Sequence, residues 1–190
     1  MSNLIDAAKT GDLAAARSHL EEAGRRDCEG KTALMWAAMN GHAACVELLL
    51  GQEGGLQDSW GWSALMFAVR DNHVEVVPLL LEKEAGMQDE DGRTALMLSV
   101  RNNRLDCARL LAEREAGLQS TSKCLFPTGP IYPAGTTALM LAASTNRVPF
   151  VQLLKGRERD LKDVKGRTAL WYASRYNYAD CILALDRDDS

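Results

Sequence analysis

Apolar and small residues along the chain fall in short helical blocks that return at a fixed spacing. The block Gly30-Lys31-Thr32-Ala33-Leu34-Met35 recurs as Gly61-Trp62-Ser63-Ala64-Leu65-Met66 and as Gly92-Arg93-Thr94-Ala95-Leu96-Met97. It returns as Gly135-Thr136-Thr137-Ala138-Leu139-Met140 and Gly166-Arg167-Thr168-Ala169-Leu170-Trp171. Taking the Thr or Ser as marker, the copies stand at 32, 63, 94, 137 and 168, so one interval of 43 interrupts a period of 31. Self-similarity at such a period is the signature of stacked repeats. Each marker is a natural N-cap, its hydroxyl able to satisfy an open N–H of the first helical turn. Ala33, Leu34, Ala37 and Ala38 then follow at helical spacing, as do Ala138, Leu139, Ala142 and Ala143. Nine residues past the marker stand Gly41, Asn72, Asn103, Asn146 and Asn177, types that tolerate the left-handed conformation beyond a helix end. A leucine-rich second helix carries Val46, Leu48 and Leu49 in one copy and Val77, Leu79 and Leu80 in the next. One such pair cannot bury its apolar face alone, so the pattern predicts an all-α solenoid of stacked helix–turn–helix repeats.

The pattern divides one domain, 1–190, into a capping repeat (1–26), repeats at 27–57, 58–88 and 89–118, an inserted loop (119–135), and repeats at 136–162 and 163–190. Ala7-Ala8-Lys9-Thr10-Gly11 aligns with Ala37-Ala38-Met39-Asn40-Gly41, which marks residues 2–20 as a degenerate first copy. The last helix carries Ile182, Leu183 and Leu185, apolar for a terminal face, so either the fifth copy doubles as a cap or the chain is part of a longer protein. Pro127, Pro130 and Pro133 exclude a regular helix from the insertion and favour an ordered extended loop. Its Leu125, Phe126, Ile131 and Tyr132 leave two readings open: a loop packing its own apolar residues, or an enlarged finger whose Phe126 and Tyr132 touch a partner.

The repeat resembles the ankyrin family, whose signature is a Thr-Pro-Leu-His helix start, a Gly-His turn and a leucine-rich second helix. Here the start is Thr-Ala-Leu-Met, while Gly41-His42 and Val46-Glu47-Leu48-Leu49-Leu50 match. The Thr-Ala-Leu-Met form looks like the expanded ankyrin arrays of protist parasites, diplomonads above all. The resemblance covers roughly residues 2–186 and implies an ankyrin-repeat α-solenoid that binds proteins. Absence of the family's Pro and His removes a hydrogen-bonding device between loop and helix, and the shorter period implies shorter fingers.

Composition changes this picture little. A 46% hydrophobic and 25% charged chain is that of an ordinary soluble domain. No apolar run approaches the ~18 residues that cross a bilayer. The N-terminus lacks the pattern of a signal peptide, so a cytoplasmic location is expected, with the cytoskeleton one destination left open. Cys45, Cys107 and Cys181 fall thirteen residues after their markers, where other copies have Val76 and Phe150, so they are expected in buried slots about 20 Å apart. A disulfide needs Cα atoms within ~7 Å. Cys28 and Cys124 are isolated in loops with no metal-ligand spacing. His42 and His73 fall at the turn and are expected to hydrogen-bond there. Asp27, Asp58, Asp89 and Asp163 recur five residues before the marker as turn formers. No phosphate loop or nucleophile–base pair emerges, so neither catalysis, cofactor nor metal is expected.

The family resemblance directs attention to the fingers and first helices. Seven residues after the marker stand Met39, Arg70, Arg101, Ser144 and Arg175; one residue before it stand Lys31, Trp62, Arg93, Thr136 and Arg167. With Trp60, Trp62 and Tyr176 as aromatic anchors, these two mostly basic rows imply a groove for an acidic protein segment. The bland alternative is a solvated face, its arginines paired to Asp71, Glu90 or Asp91. A net charge of −4 disfavours nucleic acid. A monomeric adaptor is the first functional expectation. The alternative is the targeting or regulatory region of a larger signalling protein such as a kinase.

Overall fold

The computed structural model describes residues 2–124 and 131–186. Phe126 lies outside them. Two compact units divide the chain, residues 1–89 and 90–190. The first holds α1 (Asn3–Thr10), α2 (Leu13–Ser18), α3 (Ala33–Met39), α4 (Ala43–Glu53), α5 (Ala64–Asp71) and α6 (Val77–Glu84), with a 3₁₀ turn at Leu20–Glu22. The second holds α7 (Ala95–Arg101), α8 (Leu105–Glu115), α9 (Ala138–Ser144), α10 (Val148–Glu158), α11 (Ala169–Arg175) and α12 (Ala179–Asp186). In each unit the odd-numbered helices pack on one another, and so do the even-numbered ones, giving two helical layers.

Local chemistry sets these elements where the pattern predicts them. The hydroxyls of Thr94, Thr137 and Thr168 accept the N–H groups of Met97, Met140 and Trp171 at 3.4, 3.3 and 3.3 Å. Asn72, Asn103, Asn146 and Asn177 adopt φ of 67°, 58°, 55° and 57°, the left-handed turn that ends a first helix. At Gly41, with φ of 73°, a Cβ would also stand 2.4 Å from Nδ1 of His73, so only glycine lets that ring approach. Leu49, Leu80, Leu111, Leu154 and Leu185 are buried at one repeated position, each contributing roughly 1.5–3 kcal/mol by leaving water. Cys45, Cys107 and Cys181 fill the expected buried slots as free thiols, and burial, then a nearby carboxylate, pushes Cys45 and Cys181 up.

Three hydrogen-bonded ladders join successive repeats. The first is carboxylate: Glu53, Glu84 and Glu158, all buried, accept the N–H of Leu34, Leu65 and Leu139 at 2.6, 2.7 and 2.6 Å. The other oxygen of each accepts a glycine N–H from the loop before it, Gly24, Gly55 and Gly117, at 2.8, 3.1 and 3.0 Å. Glu115 holds Leu96 N–H at 2.7 Å, and Glu22 does the same for Leu4 at 3.1 Å. Open donors at a helix start need such acceptors. The second ladder runs along the fingers: Arg26 bonds the carbonyls of Gly30 and Gln57, Gln57 those of Gly61 and Gln88, and Gln119 those of Gly135 and Lys162. The third uses the turn after the first helix. His42 Nε2 meets the Lys9 carbonyl at 3.1 Å and His73 Nε2 the Met39 carbonyl at 2.9 Å. Arg147 occupies the same repeat position, and its Nη2 donates to the Arg101 carbonyl at 3.1 Å.

The described parts of the insertion, 119–124 and 131–135, pair as extended chain. Cys124 and Tyr132 pair across it by N–H···O bonds of 3.0 and 3.1 Å, and Ser120 pairs with Thr136 and Gly135 at its base. Cys124, expected as a loop residue, is fully buried because this pairing turns it inward. Tyr132 is only 3% exposed and its hydroxyl bonds Ser144 Oγ at 2.8 Å, so it packs rather than presenting a ring to a partner. Ile131 beside it is exposed.

Candidate partner-binding surface

In the first unit, rings and cations alternate. Trp36 follows the Thr32 cap by four residues, Phe67 follows Ser63 by four, and both lie toward the finger loops. Lys9 Nζ sits 4.5 Å from the Trp36 ring centre. Lys31 Nζ lies 5.2, 5.5 and 5.7 Å from Trp36, Trp60 and Phe67. The Arg70 guanidinium stands 5.7 Å from Trp62 and 5.1 Å from Phe67. Trp62 and Phe67 rings tilt against each other at 5.2 Å. A cation within ~6 Å of a ring face is attracted by its quadrupole. Trp60 is half exposed, Trp62 and Arg70 partly so, while Lys31 is buried and paired with Glu29. Arg70 also forms a two-pronged pair with Asp71 at 2.9 and 2.6 Å.

The finger carboxylates set the loops under these rings. Asp27 Oδ1 accepts Glu29 and Lys31 N–H at 3.0 and 2.9 Å, and Oδ2 accepts the Trp36 indole N–H at 2.9 Å. Burial pushes the Asp27 carboxyl up, but these donors outweigh it and hold it below the usual carboxylate range. Asp58 repeats the Oδ1 contacts, to Trp60 and Trp62 at 2.9 and 2.8 Å, yet its buried Oδ2 has no partner.

In the second unit the named residues divide. Arg167 bonds Asp163 at 2.8 Å and stacks 4.7 and 4.9 Å from Trp171 and Tyr172. Tyr172 donates to the same Asp163 at 2.7 Å; burial, then this carboxylate, pushes its phenol up. Burial raises Asp163 too, but the Tyr172 hydroxyl and the donors of Arg167 and Lys165 hold it below the usual range. Arg93 is paired to Asp91 at 3.0 Å with most of its side chain covered. Arg93 and Arg167 therefore belong largely to their own fingers, and the Arg93–Asp91 and Arg70–Asp71 pairs are those of the bland alternative. Arg101 is half-buried; Arg175 and Tyr176 are exposed, and Tyr176 stacks on Tyr178 at 6.0 Å. Thr136 and Ser144 in the two rows are buried. Trp36 and Arg147 were not among the anticipated anchors. The aromatic run Trp36, Phe67, Tyr172 at one repeat position is the signal that could have found the first.

Among the described residues, no three His, Cys, Asp or Glu side chains gather as a metal-binding group, and no helix is long and apolar enough to cross a membrane. A family model described as ankyrin repeats (3 copies) matches residues 4–86, 45–124 and 119–188. Among curated proteins no match is found. The ankyrin repeat domain of Bcl-3, a member of the IkappaB protein family, superposes with a TM-score of 0.84 at 21% identity, covering 100% of this chain and 88% of that one. The ankyrin repeat protein EF0377 gives 0.76 at 22%, covering 99% and 98%. A chain from the complex of the Bd0816 predatory endopeptidase of Bdellovibrio bacteriovorus with immunity protein Bd3460 gives 0.67 at 26%, covering 97% of both.

Proposed function

Because the chain belongs to the ankyrin-repeat family, whose members generally mediate protein–protein contact, we propose that it is a non-catalytic adaptor for an acidic segment of a partner protein. The observation that carries this reading is the cation–aromatic alternation of Lys9, Trp36, Lys31, Trp60, Phe67, Arg70 and Trp62. Rings that hold cations in place lower the side-chain entropy lost when an acidic chain docks, and Trp and Arg are the residues that dominate interfaces. In the second unit Arg101, Arg175 and Tyr176 extend the reading. A neighbouring structure that is itself a protein–protein complex is in keeping with it. Five free cysteines fit a reducing cytoplasm, and a monomer suffices for the binding. The Thr-Ala-Leu-Met helix starts support a place among protist arrays.

A second reading makes the chain a targeting region of a larger signalling protein. Its support is the exposed apolar set Leu170, Trp171 and Leu183, which a further packed layer would cover. Affinity purification from the native cell tests the first reading. The natural chain should recover an acidic partner; the variant carrying Arg70→Glu, Arg101→Glu and Arg175→Glu should lose it with an unchanged circular-dichroism spectrum. Undiminished recovery would overturn the proposal.

A further inference from the structure

Four copies of the repeat bury two neighbouring residues at the start of the first helix, and the fifth copy exposes them. Leu34, Leu65, Leu96 and Leu139 are at most 1% exposed, as are Met35, Met66, Met97 and Met140. At the same two positions Leu170 is 40% and Trp171 41% exposed. One turn on, Ala38, Val69, Val100 and Ala143 are fully buried, while Ser174 is exposed. On the second helix Val46, Val77, Ala108 and Val151 are fully buried, and Ile182 only partly. Within the second unit the reason is direct. α11 packs on α9 and α12 on α10, so these positions of the fourth copy are covered by the fifth. The matching face of α11 and α12 carries Leu170, Trp171, Ser174 and Ile182.

The residues chosen here are not those of a face made for water. Leu183, also exposed, takes a place where the other copies have Glu47, Pro78, Arg109 and Gln152, all exposed. The capping copy shows the contrary choice: α1 exposes Asn3 and Asp6 where the later copies have alanine and a large apolar residue. Large apolar side chains gathered on a surface mark a contact. The charges beside them are sorted by helix. α11 carries Arg175 and no acid, while α12 carries Asp180 and Asp186 and no base.

We propose that this face pairs with the same face of a second copy of the chain, about a two-fold axis running along the helices. Such a contact is isologous and sets α11 of each copy on α12 of the other. A basic helix then meets an acidic one twice, and Leu170, Trp171 and Ile182 fill the centre. A head-to-tail stack would instead lay Asn3 and Asp6 on Leu170 and Trp171, burying polar groups against apolar ones. The inference goes beyond the adaptor reading. One copy suffices to hold a partner, and two joined copies would hold a bivalent partner more tightly through effective concentration.

Sedimentation equilibrium of the full chain, with no partner protein present, reads the pairing. The natural chain should pass from one to two chain masses between about 1 and about 100 µM, and go no further. Leu170→Gln and Trp171→Gln should each weaken the pairing about tenfold or more. Trp171→Met restores the residue of the other copies and should keep the affinity within severalfold. Arg175→Asp should weaken it about tenfold, and adding Asp180→Arg and Asp186→Arg should restore it. Circular dichroism checks that each variant is folded. A single chain mass throughout, growth beyond two masses, undiminished pairing of Trp171→Gln, or no rescue by the charge exchange would each overturn the proposal. So would a natural chain that pairs only after residues 187–190 are removed, because that segment would then be the cover. Leu170→Gln and Trp171→Gln leave Arg70, Arg101 and Arg175 in place, so failure here and failure of partner recovery are separate results.

Discussion

The finger from Asp58 to Trp62 and the finger from Asp163 to Arg167 use one backbone device and spend its carboxylate differently. Both close with a bond from the Asp N–H to the carbonyl four residues on, at 2.9 and 3.0 Å. Both Oδ1 atoms gather the N–H groups two and four residues on. At Asp163 the second oxygen accepts the Tyr172 hydroxyl and Arg167 Nε. At Asp58 it meets no donor, because nine residues on stands Phe67 and four residues on stands Trp62. The fifth finger thereby neutralises its arginine internally. The second leaves its rings uncommitted to the carboxylate, and they hold Arg70 instead. Two side chains, at the positions of Trp62 and Phe67, decide whether a finger's carboxylate or its rings hold the nearby arginine.

Removing the carboxylates breaks the comparison most severely. Asp163→Ala strands two N–H groups, a buried phenol and a guanidinium, so it should cost about 3 kcal/mol. Asp58→Ala strands only the two N–H groups and should cost about half that, or roughly 1.5 kcal/mol. Urea unfolding of both variants measures the difference, and equal losses would mean the Tyr172 and Arg167 bonds add nothing. The gap between the natural chain and Asp163→Ala should also depend on pH. Folded Asp163 lies below its unfolded value of about 3.9, so its contribution is complete above that value and fades as pH falls through the folded one. Glu84 and Glu158 work the other way: burial raises them, so their contribution is present below the unfolded value and is lost as pH rises through the folded one. Those terms cancel between chain and variant, leaving a gap that is constant well above about pH 3.9 and narrows as the pH falls below it. A gap that stays constant there too contradicts the assignment. The smallest effect comes from Phe67→Tyr, which offers Asp58 the hydroxyl that Tyr172 offers Asp163. It should stabilise the chain by up to about 1 kcal/mol, seen as a higher thermal midpoint. A lower midpoint would show that the ring's setting in the two fingers differs.

Most of the fold was legible because it is written locally. A Thr cap, an Asn or Gly nine residues later and a buried slot thirteen residues later each follow from the conformation of one short segment. The turn role of Asp27, Asp58 and Asp163 was legible for the same reason. Glu53, Glu84, Glu115 and Glu158 recur 21 residues after their markers, yet a glutamate at a helix end reads as solvated. Its burial depends on the loop glycine that the adjoining repeat lays over it, which no local pattern contains. Tyr132 was ambiguous because the insertion's pairing, and hence the face its ring takes, follows from Cys124 across a segment of irregular sequence. That Trp60, Trp62 and Arg70 keep part of their surface in water was legible from their places on the finger and at the end of the first helix. Arg147 was hidden by its place in a histidine slot, where its role is set by a carbonyl 46 residues away.

The carboxylate ladder bears on how such a chain comes apart. Glu84 ends the first turn of its own repeat through Leu65 and closes the loop of the repeat before it through Gly55. Melting the repeat of α5 and α6 alone would strip an acceptor from the loop after α4, and melting that loop would leave Glu84 buried with half its donors. An unfolding front therefore meets a penalty at each boundary it creates, and a partly frayed unit is worse than one wholly folded or wholly open. Weak individual repeats are made to disappear together, and at each such junction one glutamate adds to the boundary energy supplied by the packed helices and by the finger and turn bonds.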